Sequence, residues 1–176
     1  MVAANLAVAL AHAGRRVVLI DADMRQSQID TMFQLKPTPG LAALAQGIAS
    51  ASDVVLPSSI RHLSILPAGS SGESSPSEFL GSPQFGSLLL KLREDFEHII
   101  IDSPPVLNAV DAGLIAGFGP GVLFVIGAQT DRQAAMEALE RLAVGRATFL
   151  GAVLNRVAVG GRTYMSSYHY SDARVA

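Results

Sequence analysis

The stretch VVLIDADMR at residues 17–25 decides how this chain is read. Four consecutive apolar residues end at Asp21, a second acid, Asp23, follows two positions on, and Arg25 comes after it. A run that is apolar at every position, rather than at alternate ones, belongs to a strand covered on both faces, which is the habit of parallel sheets. The pattern returns as HIIIDSPP at 98–105, with Asp102 at the equivalent point. Three further runs, LSIL at 63–66, VLFVI at 122–126 and GAVLN at 151–155, read as buried strands too.

Helical patterns separate these runs. Residues 3–13 form an apolar, alanine-rich helix that stops at Gly14, and shorter helical pieces fit 28–34 and 40–46. Clearer ones span 83–95, 109–117 and 131–145, the last with Thr130 as its expected N-cap and Gly145 as its stop. Strands alternating with helices predict an α/β fold, a mostly parallel sheet with helices on both faces, because parallel strands need crossovers. The segment PAGSSGESSPSE at 67–78 reads as a surface loop. Apolar periodicity fades from Gly160, so one domain is expected over 1–159, followed by a flexible, tyrosine-bearing tail over 160–176.

The 176 residues suffice for one domain with a sizeable core, and 49% of them are hydrophobic. A formal net charge of −2, with both signs interspersed, gives no nucleic-acid footprint and no polybasic membrane patch. The absence of cysteine removes thiol catalysis, disulfides and cysteine-rich zinc sites, and it fits a reducing compartment. No apolar run reaches the roughly 20 residues of a spanning helix, and the N-terminus lacks the pattern of a signal peptide. A soluble, cytoplasmic chain is expected.

In open parallel sheets, ligands gather at the carboxyl ends of the strands, and Asp21, Asp23 and Asp102 stand there. Carboxylates so placed suit a hard cation such as Mg2+, held directly or through water. A single Asp after a strand is more often a cap or turn residue. Two strands ending alike shift the balance, and the prolines after Ser103 force the chain to leave the sheet extended, which directs Asp102.

The pair VLIDADMR and IIIDSPP, about eighty residues apart, resembles the Walker A′ and Walker B motifs of bacterial tyrosine kinases. Those kinases are P-loop NTPase-like domains of the deviant-Walker type that work with polysaccharide chain-length regulators in capsule and exopolysaccharide export. The likeness continues through LPAG, PSEFL, SPPVLNAVDAGLIA, VLFVIGAQT and GAVLNRV. It implies an ATP-dependent protein-tyrosine autokinase using ATP and Mg2+. Asp21 and Asp23 match the Walker A′ carboxylates, one a candidate base and one supporting the metal shell, with the choice between them open. Asp102 matches the acid that holds Mg2+ through water, and Asn155 matches a position against the adenine ring, although a strand-end turn residue would look the same. Arg25 completes the kinase signature at the cofactor site, and an exposed Arg paired with a nearby acid would look identical. Ser27 and Asp30 stand where the family often has Pro and His.

Relatives of this kind carry a strand and a glycine-rich Gly-Lys-Ser-Thr loop before a helix reading close to VAANLA. Here that helix begins at Val2, and no Gly-Lys pair occurs anywhere in the sequence. The expectation is a chain that starts after its phosphate cradle, a truncated or mis-started product, with unpaired strand edges and little ATPase activity of its own. By the same resemblance Tyr164, Tyr168 and Tyr170 are phosphoacceptors for a neighbouring copy in a homo-oligomer. The implied partner is a membrane chain-length regulator, or polysaccharide co-polymerase, or its cytoplasmic segment, which would hold the chain at the inner face of the plasma membrane. Two other readings share the fold: a partner-regulated ATPase of the chromosome-partitioning or cell-division type, and a nonenzymatic module that only binds the regulator.

Overall fold

The structure is a computed structural model that describes residues 2–36, 39–69, 76–119, 121–144 and 147–158. The expected tail 160–176, with Tyr164, Tyr168 and Tyr170, and the expected helix stop at Gly145 lie outside the described residues. In chain order the elements are α1 (Val2–His12), β1 (Val17–Asp21), α2 (Ile29–Met32), α3 (Gly40–Ala45), α4 (Ala51–Val54), β2 (Leu56–Pro57) and β3 (Leu63–Leu66). They continue with α5 (Pro76–Leu80), α6 (Pro83–Asp95), β4 (His98–Asp102), α7 (Asp111–Ala116), β5 (Val122–Gly127), α8 (Arg132–Val144) and β6 (Phe149–Asn155).

The α/β expectation holds. β1 lies between β3 and β4, parallel to both, and the short β2 closes the far edge antiparallel to β3, giving the order β2-β3-β1-β4. All five residues of β1 are buried, because alternate side chains feed two separate cores. Val18 and Ile20 pack with Leu66 against Phe85, Leu88 and Leu92 of α6. Val17 and Leu19 face Ala4, Ala7 and Ala11 of α1, a stripe of small residues that lets the helix lie close on the sheet. The alternation absent from the sequence of β1 is thus present in space.

β5 and β6 form a separate parallel pair, with Phe124 and Ile126 against α7 and α8 in a third core cluster. β4 therefore pairs with β1 alone and β5 with β6 alone among the described strands. All five residues of β4, three isoleucines included, are only half-buried.

Three local expectations are corrected. The last three residues of the stretch expected as loop, 76–78, belong to helix α5, which continues into Phe79 and Leu80, both buried in the core. α8 begins at Arg132 and is capped by Asp131, not Thr130: an Asp131 carboxylate oxygen accepts the Gln133 N–H at 3.1 Å. α4 and β2 have no counterpart in the sequence reading, since four residues and two residues are too short to show a period.

Candidate cation and nucleotide site

Asp21 and Asp102 are the last residues of adjacent parallel strands and stand directly opposite each other in the β1–β4 register. The sheet itself therefore brings them together. With Asp23, Gln26, Gln28, Ser103 and Pro105 they line one cavity of about 210 Å³ at the carboxyl ends of the strands.

Asp21 is 1% exposed and fully engaged. One carboxylate oxygen accepts the Asp23 N–H at 3.1 Å, and the other accepts the Ser27 hydroxyl at 2.8 Å and the Ile29 N–H at 3.3 Å. Asp21 thus folds the 22–28 loop around itself. Asp23 uses one oxygen to accept the Arg25 and Gln26 N–H groups at 3.3 and 3.0 Å, in the manner of an Asx turn. No hydrogen bond from a described residue reaches its other oxygen, or the carboxylate of Asp102.

Burial first, and the charges of Asp21 and Asp23 after it, together raise the Asp102 carboxyl from its ordinary 3.8 to about 6. Burial raises Asp21 as well, opposed by the hydrogen bonds from Ser27, Ile29 and Asp23. Acids that repel one another in a partly desolvated cleft gain from a cation. Among the described residues no three Asp, Glu or His side chains are placed to ligate one metal ion together. Mg2+ is commonly held by one or two carboxylates while keeping several waters, so the donor set of Asp102 and Asp23 fits a hydrated Mg2+ and not a fully protein-caged ion.

Arg25 does not line this cavity. Its Nε donates to Asp111 at 3.4 Å and its Nη2 to the Ser77 hydroxyl at 3.2 Å, while Ser77 in turn donates to Asp111. Asn155 ends β6, is absent from the cavity lining, and its side-chain oxygen accepts the Arg156 N–H at 2.9 Å. Sequence reasoning missed Ser27, Gln26, Gln28 and Ser103, whose roles depend on how two loops fold over each other. Asp111 left one signal, an acid within the otherwise apolar helical pattern AVDAGLIAG.

Comparison with known proteins places this geometry in a family. Residues 1–143 match the AAA domain family. The chain is 34% identical over 154 residues to the tyrosine-protein kinase YwqD of Bacillus subtilis (strain 168), covering 87% of this chain and 65% of that one. It is 32% identical over 162 residues to the tyrosine-protein kinase CpsD of Streptococcus agalactiae serotype Ia, covering 91% and 69%. The crystal structure of the chimerical protein CapA2B2 superposes with a TM-score of 0.82 at 33% identity, over 88% of this chain and 69% of that one. The chain thus spans about two thirds of the length of such relatives. The carboxylates that end adjacent parallel strands, the α/β architecture around them and these similarities agree: this chain belongs to the bacterial tyrosine-kinase family, on a P-loop NTPase fold.

Proposed function

We propose that this chain carries the cation-binding half of an ATP-dependent protein-tyrosine autokinase that serves capsule or exopolysaccharide biosynthesis. One observation carries the reading: Asp21 and Asp102 face each other across the β1–β4 register and share a cavity with Asp23. Phosphoryl transfer depends on positioning and on neutralising charge, and a cavity of three acids suits a cation that bridges protein and phosphates. Asp102 and Asp23 would hold Mg2+ through its waters, and the bound ion would neutralise phosphate oxygens.

Of the two candidate bases, Asp23 has a carboxylate oxygen that no described residue hydrogen-bonds and so is the better placed to accept a tyrosine hydroxyl proton. Asp21, closed off by three donors, holds the loop that presents Asp23. Asn155 would meet the adenine end of ATP. The phosphates would need a glycine-rich Gly-Lys loop beside this cation site, and this sequence contains no Gly-Lys pair. Tyr164, Tyr168 and Tyr170 are the proposed acceptors on a neighbouring copy. The proposed partner is the cytoplasmic segment of a membrane chain-length regulator, which would place the kinase at the inner face of the plasma membrane.

The test is autophosphorylation with γ-labelled ATP in a chain extended upstream through such a loop. Asp102→Asn is expected to lower incorporation at least a hundredfold, and replacing Tyr164, Tyr168 and Tyr170 together by Phe to remove it. Incorporation retained by Asp102→Asn overturns the metal role of that carboxylate. Labelling that persists without the three tyrosines moves the acceptor elsewhere.

A further inference from the structure

Outside the cavity, one group stands apart. Asp111 is a carboxylate 1% exposed at the first turn of α7, and the reaction has no use for it. Its partners come from two remote segments: Arg25, 86 residues earlier, from the loop after β1, and Ser77, 34 residues earlier, from α5. Each Asp111 oxygen has its own donor, with Oδ2 accepting Arg25 Nε at 3.4 Å and Oδ1 accepting the Ser77 hydroxyl, while Arg25 Nη2 closes the triangle on Ser77 at 3.2 Å.

The position of this triangle gives it a role. Arg25 lies in the loop that carries Asp23, Gln26 and Gln28 into the cavity, and its own backbone N–H donates to Asp23. Asp111 begins the helix that ends the other cavity loop, the one carrying Ser103 and Pro105 after Asp102. Strand pairing places Asp21 and Asp102, since both belong to the sheet. The last cross-strand hydrogen bond, from the Ala22 N–H to the Asp102 carbonyl at 2.8 Å, stops one residue short of Asp23, so the loop and not the ladder sets where the Asp23 carboxylate stands.

We propose that Arg25, Ser77 and Asp111 form a brace that ties the two cavity loops together and thereby positions Asp23 against Asp102 for a shared divalent cation. The proposal rests on the cation-site reading above and makes Arg25 a positioning residue, not a cofactor contact. Guanidinium geometry is essential to it, because the planar fork reaches a carboxylate and a hydroxyl at once, which an ammonium point charge on a flexible stem does not reproduce. Burial of Asp111 gives the pairing its hold, since a carboxylate removed from water needs both donors.

The test measures Mn2+ affinity of the full chain by electron paramagnetic resonance, together with amide hydrogen exchange. Arg25→Ala and Ser77→Ala are each expected to weaken Mn2+ binding at least fivefold. Both should speed exchange of the Asp23 and Gln26 amides at least tenfold, while the Leu19 and Ile100 amides in β1 and β4 stay as protected as before. Arg25→Lys should behave like Arg25→Ala, and the double variant Arg25→Ala/Ser77→Ala should be little worse than Arg25→Ala alone. These two substitutions alter half-exposed or peripheral side chains, so the test does not depend on whether Asp111→Asn folds. Unchanged Mn2+ affinity in Arg25→Ala, beside lost affinity in Asp102→Asn, overturns the brace and leaves the cation site standing. Full rescue by Arg25→Lys also overturns it, by showing that charge alone suffices. Unchanged affinity in Asp102→Asn overturns the cation site and the brace with it.

Discussion

Asp102 carries the clearest consequence at the scale of a residue. Its carboxyl is raised from the ordinary 3.8 to about 6, first by burial and then by the neighbouring acids, so the native state holds its proton to higher pH than the unfolded chain does. Its contribution to stability is therefore fully present below about pH 4, declines as pH rises toward 6, and is lost above that. A cation reverses the direction, because metal and proton compete for the same oxygens. Calorimetry of the metal-free chain should show Asp102→Asn more stable than wild type at pH 7.5 and nearly equal at pH 4. Millimolar Mn2+ should raise the wild-type melting temperature at pH 7.5 and have little effect at pH 5. Ser27 makes a related case, since it stands where the family often has Pro and donates to a buried carboxylate. Ser27→Ala should cost about 1.5–3 kcal/mol in denaturant unfolding, the usual range for a hydrogen bond to a charged group.

Elements meet most tightly where the turn after β3 crosses the start of α3. The Leu41 and Ala42 N–H groups donate to the carbonyls of Pro67 and Ala68 at 2.8 and 2.9 Å, so the LPAG turn receives the free end of that short helix. Gly69 has φ +75°, and a β-carbon there would lie 1.9 Å from the Pro39 carbonyl oxygen. Gly69→Ala is expected to destabilise by about 3 kcal/mol or more, since backbone faces backbone and no side chain can turn aside. A Gly69→Ala protein within about 0.5 kcal/mol of wild type in urea unfolding would show that the turn rearranges. The cap of α8 allows a smaller check: Asp131→Ala should cost about 1 kcal/mol and Thr130→Ala much less. Both the turn and the cap were partly legible. The sequence marks LPAG and the start of α8, yet which of two adjacent polar residues caps depends on one backbone dihedral, which composition does not specify.

At the scale of the molecule, the described strands form two sheets, divided between β4 and β5, and β6 is exposed along most of its length. Leu150 and Leu154 of β6 are 71% and 60% exposed, and Leu123 and Val125 of β5 lie open beside them. Apolar strands with free edges recruit other strands, so the chain by itself should associate as its concentration rises. Light scattering should detect this, and Leu154→Lys should reduce it with a stability change within about 0.5 kcal/mol. Scattering that stays flat into the hundreds of micromolar would show that these surfaces are protected.

The alternation of strands and helices, the acids at the ends of β1 and β4, and the family likeness were all determined by the sequence alone. Each depends on neighbouring residues: an unbroken apolar run marks a parallel strand, fully buried in β1 and much less so in β4 and β6, and a site acid follows its strand directly. Tertiary structure alone decided that Asp21 and Asp102 stand directly opposite each other, that Ser27 serves Asp21, and that Arg25 turns from the site to Asp111. Those partners stand 6 to 86 residues apart and meet only through strand register and loop packing, which no local pattern of residue types encodes.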